Sequence, residues 1–193
     1  MTTTEAQLTE ARAVRYFDAA RVLHRHTNSN VQGYWEPINY LVAMAAELTL
    51  KSYLLRVGVD SKKLKARSFR HNLSNLTLLA VQAGLRTSDE AVEPVLLMAE
   101  AHSDHAFRYT EVMAPERVTV IFHAKPEPAI EGVGLLLDHA SADPHGIRRH
   151  AASGIEWPLS LPVAKPITEA AVVKWIDKIK EDQALIRATK GIS

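Results

Sequence analysis

Glu47 and Lys51 stand four residues apart inside the apolar run from Asn39 to Gly58. A carboxylate followed by an ammonium at that spacing meets on one face of a helix, either as a structural pair or as groups that move protons. Downstream, Lys62, Lys63, Lys65, Arg67 and Arg70 put five cations into nine residues. Such a run can neutralise several phosphates of RNA or of a nucleotide, with binding that falls steeply as salt rises; a solvated loop is the plainer reading. His71 follows at once, placed either to carry a proton beside a phosphate held by Arg67 and Arg70, or to satisfy backbone groups where the next helix opens. Arg108 can stabilise phosphate charge, cap helix carbonyls or pair with a carboxylate such as Glu47, while Tyr109 can stack on a base. The candidate catalytic residues are therefore Arg108, His71 and His102, and the candidate nucleic-acid contacts are the five cations with Tyr109.

Metal chemistry has little support in the spacing. The chain has nine histidines and no cysteine, which removes disulfides, thiol catalysis and zinc thiolates. His102 and His105 have helical i, i+3 spacing beside Asp104, but no glutamate precedes them at Glu-x-x-His spacing. A metal centre needs three or four converging ligands, so neither a metal nor another cofactor is expected.

The elements that must position these groups read as helices. Thr4 and Gln7 make a capping box for a first helix whose Ala13, Tyr16, Phe17, Ala20 and Leu23 form a stripe ending near Thr27. Asn28-Ser29-Asn30 and Gly33 read as a turn, and Pro37 suits the start of a second helix that Gly58 ends. In that helix Leu41, Met44, Ala45, Leu48, Ser52 and Leu55 share a face, yet most other positions are apolar too, so it should be surrounded by helices. Asn72 can cap a third helix with the stripe Leu73, Leu76, Ala80 and Ala83, ended by Gly84. Thr87 and Glu90 offer a capping box for a fourth through Val92, Val95, Leu96, Ala99, Ser103 and Ala106, with Pro94 as an alternative start. Pro166-Ile167-Thr168 opens the last, striped by Val172, Trp175, Ile176, Ile179, Gln183 and Ile186.

Between the fourth helix and the last the pattern fails. Val118 to Phe122 reads as a short strand or an extended packing segment, and 123–166 carries prolines and glycines with no sustained period beyond a short helical piece at Gly132 to Ala140. His139, His145 and His150 are placed near the surface, and Trp35 and Trp157 as pins holding loops to the bundle.

The order of Tyr34, Pro37, Glu47-Leu48-Thr49-Leu50-Lys51, Leu54, Gly58, the lysine-rich turn, His71-Asn72-Leu73-Ser74-Asn75-Leu76 and Ala83-Gly84-Leu85 resembles the HEPN family of prokaryotic helical-bundle domains. Phe107-Arg108-Tyr109 is similar to an Arg-Tyr element that often follows in that family, so the resemblance covers roughly 34–110. It implies a helical bundle, frequent homodimerisation and a prokaryotic defence or toxin–antitoxin setting. Ribonucleases of the family carry an arginine and a histidine separated by four to six residues, and cleave RNA without metal through its 2′-hydroxyl. Here Tyr109 to Pro115 supplies no histidine after Arg108, while Arg21 and His26 have the spacing on the first helix.

With 193 residues, 47% of them hydrophobic, the chain suits one domain over 1–193 with a sizeable core. A formal net charge of +1 leaves any attraction to nucleic acid to a local patch. No apolar run approaches the ~20 residues that span a bilayer and the amino terminus lacks a signal-peptide core, so a cytoplasmic location without membrane contact is expected. The expected fold is an all-α, HEPN-like bundle of about five helices with 111–165 as an irregular insertion. The expected function is noncatalytic binding of RNA or a nucleotide-bearing partner. The alternatives are a metal-independent ribonuclease using Arg108 with a histidine from elsewhere, such as His71, His102 or the other subunit, and a structural protein-interaction module.

Overall fold

Helix α1 (Glu5–His26) begins at the reciprocal box in which the Thr4 hydroxyl accepts from the Gln7 amide at 3.2 Å and Gln7 Oε1 accepts from the Thr4 amide at 2.9 Å. In the computed structural model, which describes residues 4–27, 34–104, 125–160 and 162–189, the chain is an all-α helical bundle. No strand occurs among the described residues, and no helix there is long and apolar enough to cross a membrane. The stretch Val118 to Phe122 lies outside them.

Helix α2 (Trp35–Arg56) runs antiparallel to α1, since Ser52 near its end donates to the Ala6 carbonyl at 3.0 Å. Its last turn closes with the Val59 amide on the Leu54 carbonyl and the Gly58 amide on the Leu55 carbonyl, which needs the left-handed backbone that Gly58 supplies at φ 92°. Gly84, at φ 95°, ends α4 (Leu73–Gln82) in the same way. Helix α2 is the central helix, packed by α1, α4, α6 (Ala99–Ser103) and α7 (Pro126–Ala140). Its most buried side is Val42, Ala43, Ala46, Leu50 and Leu54; Leu41, Leu48 and Leu55 only pack against the core from its margin. A helix apolar nearly all round has no period from which to read its inner face.

Three sequence expectations change. The basic connector contains a helical turn, α3 (Ser61–Lys65), capped by Asp60 and anchored by buried Leu64. The fourth helix is α5 (Asp89–Leu97), broken from α6 at Met98; it holds Pro94 inside it, and its N-cap is Ser88, because Thr87 turns inward to His139 Nδ1 at 3.0 Å. His139 is accordingly half-buried, and burial pushes its pKa down, while His145 and His150 are exposed.

The largest correction concerns the insertion. Residues 126–140 form α7, a core helix against α1, α2 and α5, rather than irregular chain with a short helical piece. The glycines that read as breakers are contact points: a Cβ on Gly132 would sit 2.8 Å from Pro94 Cγ and 2.9 Å from the Glu90 carbonyl oxygen, and one on Gly134 would sit 3.1 Å from the Phe17 ring tip. The remaining segment, after α8 (Pro144–Ile147) and a single turn at Arg148–His150, is an extended strap over α1 and α7. Asp18 accepts from the Ala152 and Ser153 amides at 2.9 Å each, Arg21 donates to the Ile155 and Glu156 carbonyls, and Asp138 accepts from the Ser160 amide at 2.9 Å. Trp157 is clasped by the guanidinium groups of Arg21 and Arg148, 4.7 and 4.8 Å from its ring, so it does pin the strap; Trp35 instead lies in the first turn of α2. Helix α9 (Glu169–Thr189) closes the bundle through Val172 and Ile179 against Val92 and Leu96 of α5.

Gly132→Ala tests the α5–α7 contact. Alanine is the better helix former by about 1 kcal/mol, but the clash with backbone and proline costs about 1–3 kcal/mol and dominates, for a net loss of up to about 2 kcal/mol. A lowered urea midpoint with unchanged helical content is the expected result; equal or greater stability would contradict this packing.

Candidate functional site

Glu47 lies on the side of α2 that faces α4 and α6, and only 3% of it is exposed. Three donors reach it from three segments. Lys51 Nζ, one turn along α2, donates to Glu47 Oε1 at 2.5 Å and to the Arg70 carbonyl at 2.7 Å. His102 Nε2 of α6 stands 2.6 Å from Glu47 Oε2, and His71 Nδ1, at the end of the connector, stands 3.1 Å from the same oxygen. The two imidazoles meet edge to face, with centroids 5.8 Å apart. For both to donate to one oxygen while neutral, His71 must carry its hydrogen on Nδ1 and His102 on Nε2.

Burial pushes the Glu47 carboxyl up, but the hydrogen bonds from His102 and Lys51, and their charges, outweigh it and hold the pKa at about 2. Glu47 is therefore ionised across the neutral range. His102 is 3% exposed, whereas the His71 side chain is 24% exposed, so solvent approaches the cluster from the connector side. Chemically, this is an oriented carboxylate–imidazole group able to hold or pass a proton, and also a set of three potential metal ligands, one carboxylate and two imidazoles, whose ligand atoms lie within 4.8 Å of one another.

The connector presents Lys62, Lys63, Lys65, Arg67 and Arg70, all exposed. Lys65 pairs with Glu5 at 3.6 Å, both in solvent, and the Lys63 ammonium lies 5.6 Å from the Phe69 ring centroid. Lys62, Arg67 and Arg70 make no ion pair among the described residues. The segment is nevertheless fixed: Leu64 is buried, Asn75 Nδ2 donates to the Ser68 carbonyl at 2.9 Å, and Lys51 holds the Arg70 carbonyl. The helix-opening role is filled by Asn72, whose Oδ1 accepts from the Asn75 amide at 2.9 Å, while the His71 ring is turned to Glu47.

Of the sequence candidates, His71 and His102 come together, and the connector that carries the five cations ends at His71, its Arg70 carbonyl held by Lys51. Arg108, Tyr109 and His105 lie outside the described residues. Arg21 is committed to the strap and His26 is exposed. What sequence reasoning missed is that Glu47 gathers both histidines; its one signal was a carboxylate inside an apolar helix. Comparisons with family models, curated proteins and solved structures return no match for this chain.

The depressed Glu47 pKa fixes a pH dependence. A carboxylate lowered from 4.5 to about 2 contributes stability that is complete above pH 4.5 and lost as pH falls towards 2, about 3 kcal/mol in all. Urea unfolding at stepped pH should show this loss in the native chain. Glu47→Gln should be less stable at pH 7 and flatter across that window, and parallel profiles for the two would refute the assignment.

Proposed function

We propose that this is a noncatalytic, HEPN-like protein that binds RNA, or a partner bearing nucleotide phosphates, through the connector between α2 and α4. One observation carries the reading. Five exposed cations stand on a segment pinned by Leu64, by Asn75 and by the Lys51 contact with the Arg70 carbonyl. Phosphate-binding side chains on a fixed backbone lose less freedom on binding than those on a loose loop, and with a net charge of only +1 the attraction is local to this patch. The family resemblance carries the rest of the proposal, a prokaryotic homodimer in a defence or toxin–antitoxin setting, and the cytoplasmic location is that expected from the sequence.

A second reading, metal-independent ribonuclease, is favoured by the Glu47–His71 contact. A carboxylate that orients a partly exposed imidazole at the end of the cationic connector is an arrangement for general acid–base work; in this reading the phosphate-stabilising partner is the sequence candidate Arg108, which lies outside the described residues.

Fluorescence anisotropy with single-stranded RNA over a salt series tests the binding. Affinity should fall as salt rises, and Lys62→Ala/Lys65→Ala/Arg67→Ala should reduce the salt slope by about 2, at about 0.7 per lost phosphate contact. Binding indifferent to both salt and these substitutions sinks the nucleic-acid reading. Incubation with RNA, with and without EDTA, addresses the second reading. Chelator-resistant cleavage abolished by His71→Ala would establish the ribonuclease, and intact RNA under every condition would eliminate it.

A further inference from the structure

We propose that Glu47, His71 and His102 form a binding site for one divalent transition-metal ion of the Zn²⁺ class. The inference goes beyond phosphate binding by the connector and does not depend on it. Two imidazoles and a carboxylate are a donor set suited to such an ion, and here Glu47 Oε2, His71 Nδ1 and His102 Nε2 lie within 4.8 Å of one another. Ligands at 2.0–2.1 Å around a tetrahedral ion stand about 3.3 Å apart; the spacings of 2.6 and 3.1 Å to Oε2 and the 4.8 Å limit on the whole set bring all three within about 1.5 Å of that value, a side-chain adjustment.

The surroundings favour coordination through Oε2. Lys51 occupies the other oxygen, Oε1, and is itself fixed by the Arg70 carbonyl. It thereby directs Glu47 to bind through one oxygen, as hydrogen-bonded groups behind metal ligands commonly do. Ionised Glu47 supplies the negative charge, and both histidines bind metal in their neutral form. The His71 side chain is 24% exposed while Glu47 and His102 are buried, so water can complete the coordination from the His71 side. In the absence of cysteine these three residues are the metal-ligand cluster found among the described residues. A metal on His71 and the metal-independent ribonuclease reading exclude each other, because the same imidazole cannot both ligate and shuttle protons.

The experiment is calorimetric titration of Zn²⁺ into the EDTA-stripped full chain, with Co²⁺ absorption as the reporter of geometry. One equivalent should bind, Co²⁺ should give the visible band of a four-coordinate site, and the Tm should rise by about 5–10 °C at a hundredfold excess of metal over Kd. His71→Gln, at a partly exposed position, should weaken binding at least about tenfold, taking the lower end of what loss of a supporting group costs. Lys62→Ala/Arg67→Ala should leave metal affinity unchanged while lowering RNA affinity, which separates failure of this site from failure of the connector. No uptake by the native chain overturns the proposal, as does uptake that survives His71→Gln unaltered, the mark of adventitious surface histidines.

Discussion

A carboxylate that stays charged inside a helical bundle must be surrounded by donors, and Glu47 imposes that condition on the structure around it. Removing such a charge from water costs several kcal/mol, and one hydrogen bond does not offset it. Glu47 draws on three, from Lys51 on its own helix, His71 on the connector and His102 on α6. Each donor belongs to a different segment, so satisfying the charge fixes where the connector ends and how closely α6 approaches α2. Lys51 transmits the constraint outward by also holding the Arg70 carbonyl, which ties the end of the cationic connector to the buried cluster.

The opposite side of the bundle is organised by a second set of buried charges. The strap after α8 has too many prolines, glycines and small residues to bury a stripe, yet it lies in a defined path because Asp18 and Asp138 accept its amides and Arg21 takes its carbonyls. Backbone groups that secondary structure leaves unpaired are satisfied by charged side chains of α1 and α7 instead. Trp157, held between Arg21 and Arg148, adds the apolar contact.

The difference between legible and illegible features follows the range of the interactions. Caps are local: Thr4 with Gln7, Asn72 with Asn75, and the glycines at 58 and 84 act within a turn or two, and sequence reading places all of them. The stripes of α1, α4 and α9 also appear as read, because their outer faces are polar enough to leave a period. Helix α7 was obscured because Gly132 and Gly134 are breakers locally but serve close approach to Pro94 and Phe17, which only the packed neighbours require. Thr87 failed as a cap for a related reason, its hydroxyl being used by His139, 52 positions away.

The helical class, the ends of most helices, the Glu47–Lys51 pair and the cationic character of the connector are all written in local sequence, since each depends on neighbours no more than a few residues apart. That Glu47 collects His71 and His102, from 24 and 55 positions away, and that 126–140 enters the core follow from long-range packing alone. Those outcomes depend on how whole helices pack. A buried charge accepts whichever donors that packing delivers, and residue spacing does not encode the delivery.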